Sequence, residues 1–454
     1  MTGQIRLAPR KTAPKPQPMQ ISRATAKLAT RQLGALALAA AMVVVTFVWA
    51  RHRNMFLGPA APLLGHFDLR VSARIIPAAA LAVLAFTLAP RAAERLRWRQ
   101  LLGATWLAAL GWAVLLALAD GPAGITHPLA TGDEYVPDLK HVHGIGAYLS
   151  GFVAHVSHPV AGQFAWSDHV AGGPPGTLLA FALLARIGLS APVWAAMLVV
   201  VVGAAAAPAA TLAVRHVDSE RSARRAAPFL AFAPIAIWLA TSADALFLGL
   251  SAVGVASLAV AASSAGRRSD AFALGGGLLL GLALYCSYGV APLGGVAVAV
   301  VVCAKRVRPL IVGAIGVGVV AAAFASSGFW WFTGLDATRI RYAEGLARLR
   351  PYDYFLLADL AALAIAVGPA AIAALATLTS RSRLWWPVGG ALLAVVTADV
   401  SGLSKGEVER IWLPFAIWLL VATAVFGGRR AARLWLAGQL VTALVLQVVL
   451  VTNW

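Results

Sequence analysis

An all-α polytopic membrane protein is the fold class this sequence predicts, and three observations predict it. Of its 454 residues, 60% are hydrophobic and only 12% charged, a balance outside the range of soluble globular domains. The apolar residues fall in runs close to the ~20 residues a helix needs to cross a bilayer core. The 37 Lys and Arg sit in short clusters between those runs, as membrane topology requires. That placement also excludes nucleic acid as a partner despite a net charge of +19, because nucleic-acid binding needs cations gathered on one solvated face.

Taken in order, residues 1–32 are Pro-rich and basic and read as a disordered cytoplasmic tail, without the apolar core of a signal peptide. A transmembrane domain fills 33–454. Its spans are expected at about 33–50, 74–90, 101–119, 191–213, 226–240, 244–263, 271–289, 290–304, 309–327, 355–377, 385–400, 411–427 and 433–452, thirteen in all. Alternating from a cytoplasmic N-terminus, the inside segments carry 25 of the 37 basic residues and the outside ones 11, with Arg186 left over. The C-terminus is then extracytoplasmic. The Ala- and Arg-rich composition suggests a high-GC bacterium, and so its plasma membrane.

Acids run the other way. Only Glu94, Asp218, Glu220 and Asp270 of the 18 Asp and Glu fall inside. Carboxylates at a membrane edge are costly, so their gathering on one side marks a functional face. The two cysteines, Cys286 and Cys303, lie in apolar spans and read as free thiols packed as small hydrophobes.

The longest polar interruption, 120–176, belongs to an extracytoplasmic loop over 120–190. It holds Asp120, Asp133, Glu134, Asp138 and Asp168, with six of the nine histidines: His127, His141, His143, His155, His158 and His169. Within it Ile145, Tyr148, Leu149, Phe152, Val153 and Val156 recur at helical spacing, which predicts an interfacial amphipathic helix over 144–157. A second apolar piece, 177–188, is also too short to span.

Several groups here suit chemistry. Glu134, Asp138 and His141 stand at i, i+4 and i+7, one face of a helix, where a carboxylate serves as general base toward a hydroxyl or holds a divalent ion. The plainer reading is an acid-rich helix start favoured by the macrodipole. His141 and His143 with nearby acids raise a divalent cation, but their spacing fits no strong zinc signature, so hydrogen bonding is the expected role and no cofactor is assigned. A second outer loop, 328–354, sets Arg339, Arg341, Arg348 and Arg350 beside Trp330, Trp331, Tyr342, Tyr352 and Tyr354. Guanidiniums suit phosphate, and aromatics suit sugars or interfacial anchoring. In 399–414, Arg410 is placed to hold a lipid phosphate with Lys405, while Glu407 or Glu409 orients it. Asp244 and the knot Tyr285–Tyr288 are lesser candidates.

The outward Gly132-Asp133-Glu134-Tyr135, the amphipathic stretch, and Pro174-Pro175 opening a short apolar helix together resemble the GT-C superfamily over roughly 101–270. These are glycosyltransferases that use polyprenyl-phosphate sugars, among them protein O-mannosyltransferases, the aminoarabinose transferase of lipid A, and actinobacterial arabinofuranosyl- and mannosyltransferases. The resemblance implies a catalytic acid at Asp133 with Glu134 beside it, and inverting transfer from a polyprenyl-phosphate donor to a glycan, glycolipid or protein acceptor outside the cell. On that reading the donor phosphate meets Arg410, Lys405, Arg339 and Arg341. Tyr135, Asp138, His141, His158, Asp168, His169 and Trp331 contact acceptor or sugar. Two departures stand out. The loop follows the third span rather than the first, and Gly173 precedes the Pro pair where the family commonly has His or Lys, so that polar contact is either absent or supplied by His169. A transporter or flippase, and a non-catalytic membrane scaffold, are the rival readings.

Overall fold

The computed structural model describes residues 23–53, 59–157 and 163–452. Nearly all of its regular structure is helical, and among the described residues nine helices are long and apolar enough to cross a membrane. They are Ala26–His52, Ala73–Arg95, Trp98–Asp120, Pro192–Val217, Asp244–Ser263, Gly266–Cys286, Arg308–Ser326, Tyr352–Leu375 and Arg429–Val449. Three more expected spans form shorter apolar helices, Tyr288–Val302, Trp385–Ser401 and Leu413–Val425.

Two expectations need correction. The span expected at 226–240 is broken: one helix, Glu220–Ala231, ends at Phe232, and a four-residue turn, Ala236–Leu239, follows. Pro228 and Pro234 explain the break, since neither can donate to the helical ladder. The first helix begins at Arg23, well inside the stretch read as tail, because 23–32 is rich in Ala, Leu, Lys and Arg and carries no Pro.

Small residues let the central helices approach closely. Gly277 lies so near Gly313 that an added Cβ would sit 1.9 Å from that residue's carbonyl oxygen, and Gly249 meets Val202 in the same way at 2.0 Å. The helix Tyr352–Leu375 is interrupted at Gly368 (φ 77°) ahead of Pro369. Gln439, fully buried on the last helix, repairs the gap: its amide donates to the Val367 carbonyl and its carbonyl accepts from Ala370 N–H.

The bundle has two electrically distinct ends. Every ion pair among the described residues joins two groups at the same end. At one end Arg429 pairs with Glu94, Arg308 with Asp270, and Glu220 with Arg215 and Arg224. The other end carries the long loop. There a two-stranded clasp pairs Gly65–Phe67 with Leu450–Thr452, and Arg70 bridges Asp120 at 2.5 Å. This is the acid-rich face, and the candidate site lies on it.

Candidate functional site

Three distant stretches of chain meet at Arg410. Asp244 opens a membrane-spanning helix, its carboxylate steadied by the Ser242 hydroxyl at 2.5 Å. Glu407 precedes the four-residue helix Val408–Ile411. His169 comes from the long loop, on the short turn Asp168–Ala171. The Arg410 guanidinium donates to Asp244 Oδ2 at 2.7 Å, to Glu407 Oε2 at 2.5 Å and to His169 Nε2 at 2.7 Å. Burial favours such pairing, since an ion out of water is tolerated only with partners. Glu407 adopts a left-handed backbone (φ 63°) directly after Gly406 (φ 84°). A non-glycine residue there is strained and persists only where its surroundings hold it. Arg350, at 2.9 Å from Glu407 Oε1, and Arg410 supply that hold.

His169 links this node to the Gly132–Tyr135 motif. Its Nδ1 lies 2.8 Å from the Asp133 carbonyl oxygen and 3.3 Å from Glu134 Oε1, and its backbone N–H also reaches the Asp133 carbonyl at 3.1 Å. A carbonyl cannot donate and a guanidinium cannot accept, so one tautomer satisfies both sides of the ring: Nδ1–H donates toward Asp133 and Nε2 accepts from Arg410. The imidazole thus sets the position of residue 133 relative to Arg410.

The two acids of the motif part company. Glu134 is buried and faces the node, with Oε2 unpartnered. Burial raises its pKa above the ordinary value, against the lowering effect of His169 and Arg410. Asp133 is exposed, and among the described residues its carboxylate makes no hydrogen bond or ion pair. Burial would raise Glu407 too, but the guanidiniums of Arg410 and Arg350 outweigh it and hold that carboxyl at about 2. Glu409, expected as an alternative partner for Arg410, points elsewhere. Both its carboxylate oxygens are buried without a hydrogen bond, and burial pushes its pKa up to about 8.

Other expected ligand residues are engaged in holding the loop. Asp138 is buried and accepts from Ser167 N–H at 2.9 Å. Asp168 pairs with Arg341 at 2.6 Å, and Arg341 donates as well to the Val156 and Ser157 carbonyls, so this buried arginine straps the loop to the helix Trp331–Glu344. Tyr135 is buried edge-on against Phe181. Trp331 donates to the Leu284 carbonyl and packs on Tyr288. The Lys405 ammonium donates to the carbonyls of Ala347 and Arg350, so it closes a turn and is not presented to a phosphate. Arg339 is exposed. His158 lies outside the described residues.

His141 packs at a tilt against Phe164 with ring centroids 4.0 Å apart, and burial lowers its pKa. Among the described residues no group of three or more His, Cys, Asp or Glu is arranged to hold a metal ion. The stretch 144–157 divides into a helix, Ile145–Gly151, and a 3-10 turn, Val153–His155. Its expected apolar stripe faces protein, not lipid: Tyr148, Phe152 and Val156 are buried, with Phe152 stacked on Trp166 and edge-on to Phe329. Pro174 and Pro175 are buried just ahead of the helix Gly176–Arg186, where the Tyr148 hydroxyl donates to the Pro175 carbonyl.

The sequence matches no protein-family model and no curated protein. Among solved structures the chain is similar to the crystal structure of the Archaeoglobus fulgidus oligosaccharyltransferase in complex with zinc and sulfate. The TM-score is 0.42 and the identity 14%, over 70% of this chain and 48% of that one. The chain therefore spans about half the length of that protein, and its function has to be read from its own residues.

Proposed function

We propose that the protein is a membrane glycosyltransferase that moves a sugar from a polyprenyl-phosphate donor to a hydroxyl acceptor on the acid-rich side of the membrane. The observation that carries this reading is His169, which holds the backbone of Asp133 with one ring nitrogen and Arg410 with the other. It fixes an exposed carboxylate beside a buried, charge-balanced node at the helix ends.

In the proposed reaction the acceptor O–H gives its proton to Asp133 as the oxygen attacks the anomeric carbon. The bond from that carbon to the lipid-phosphate oxygen breaks on the opposite face, and the configuration inverts. A free carboxylate at the surface suits the base, since it must meet an acceptor arriving from water. The departing phosphate needs cations aimed at the charge it gains. Arg339, exposed on the second loop, is the candidate ligand from the expected set. Arg410 works behind the site, as the residue that positions His169 and Glu407. Glu134, buried against His169, fixes the motif's second residue.

The test is a comparison of lipid-linked sugars and envelope glycans by mass spectrometry in host cells with and without the gene. One polyprenyl-phosphate sugar should accumulate in the deletion and one glycan linkage disappear. A deletion strain with both pools unchanged would rule the proposal out.

A further inference from the structure

At the basic end, far from Arg410 in the bundle, the helices Ile76–Arg95, Trp98–Ala117 and Glu220–Ala231 enclose a cleft of about 220 Å³. Its walls include Leu84, Leu88, Leu101, Ala108, Ala227 and Phe232. Thr105 is its one polar side chain, and that hydroxyl is already donated to the Leu101 carbonyl at 2.8 Å. The cleft therefore offers a polar occupant no free side-chain donor, and an apolar cavity does not hold water. Leu84 and Leu88 are exposed beside it, so it opens toward the hydrocarbon that surrounds a membrane protein.

The cleft runs down to Ala93, Leu96 and Leu101, at the turn between the first two of these helices. Arg224 closes its floor by donating to the carbonyls of Ala93 and Leu96. Arg95, Arg97 and Arg99 project from this turn, all exposed and in no ion pair among the described residues. The neighbouring acids are taken: Glu94 by Arg429, and Glu220 by Arg215 and Arg224. Three guanidiniums with no acidic partner among the described residues thus belong to the turn at which the apolar slot ends.

We propose that this cleft binds one anionic phospholipid, with an acyl chain between the helices and the phosphate against Arg95, Arg97 and Arg99. Cations at that position favour a lipid with net negative charge over a zwitterionic one of the same chain length. The site does not depend on the glycosyltransferase reading.

The test is native mass spectrometry of the purified full chain, titrated separately with phosphatidylglycerol, phosphatidylcholine and decaprenyl phosphate. The wild type should retain one phosphatidylglycerol in preference to phosphatidylcholine. Arg97→Gln with Arg99→Gln should bring the two lipids toward parity, a loss of roughly fivefold for each arginine neutralised. Ala108→Phe, which fills the slot, should abolish retention of phosphatidylglycerol. Equal retention of the two phospholipids by the wild type, or a preference that survives the arginine changes, would overturn the proposal. So would decaprenyl phosphate held in preference to phosphatidylglycerol and lost in Ala108→Phe, because the slot would then belong to a polyprenyl chain.

Discussion

Replacing Arg410 by Met should unfold the acid-rich face before it does anything else. The Arg410 side chain is 9% exposed and that of Asp244 6%. With Arg410 gone, Asp244 keeps only the Ser242 hydroxyl, while Glu407 keeps Arg350. One buried carboxylate is then stranded, which costs about 3–5 kcal/mol. Asp244→Asn is milder, about 1–2 kcal/mol, because Arg410 retains Glu407 and the amide oxygen still accepts. The double change Arg410→Met with Asp244→Asn removes the stranded charge. It should therefore cost less than the sum of the singles, with a coupling of about 1.5–3 kcal/mol. Unfolding in mixed micelles titrated with an ionic detergent, followed by tryptophan fluorescence, measures all three. If Arg410→Met stays within about 0.5 kcal/mol of wild type, or if the double is additive, the node does not hold this face together.

Three other outcomes are expected. Gln439→Leu leaves the Val367 carbonyl and the Ala370 N–H unpaired inside the bundle and should cost about 2–5 kcal/mol by the same detergent titration. Phe152→Asp puts a charge between Trp166 and Phe329 and should expose the 144–157 segment to limited proteolysis while the membrane spans stay protected. Glu409 gives a pH signature. Its folded pKa, about 8, lies above the ordinary 4.5, so the unfolded chain ionises first and stability is lost as pH rises between those values. The loss is about 1.4 kcal/mol per unit and levels off above about 8. Glu409→Gln should melt at a temperature less dependent on pH across pH 6–8; a slope as steep as that of wild type would contradict the assignment.

The sequence revealed its membrane character, and the segregation of ion pairs to two ends agrees with the segregation of Lys and Arg from Asp and Glu along the chain. Composition and span length carry that signal directly, because the bilayer leaves few alternatives. The break at Phe232 was written in Pro228 and Pro234, yet hydropathy alone passes over prolines in an apolar run. The amphipathic stripe from Tyr148 to Val156 was visible, but periodicity identifies a buried face without naming what buries it; here the cover is Trp166 and Phe329. The meeting of Asp244, His169 and Glu407 at Arg410 depends on contacts across up to 241 residues of chain, which spacing does not encode. A signal for Lys405 was also missing, since an ammonium that closes a turn reads in sequence like one that awaits a ligand.

Transfer by purified protein in liposomes tests the central claim most directly. Lipid extracted from the deletion strain supplies the donor, and mass spectrometry follows loss of the polyprenyl-phosphate sugar and release of polyprenyl phosphate. Wild-type protein should consume one donor species. Asp133→Asn should retain that lipid while turnover falls by roughly 10²–10⁴, the scale of a general base, with folding unchanged because the side chain is exposed. Consumption by Asp133→Asn at the wild-type rate, or no donor consumed by the wild type, would contradict the account.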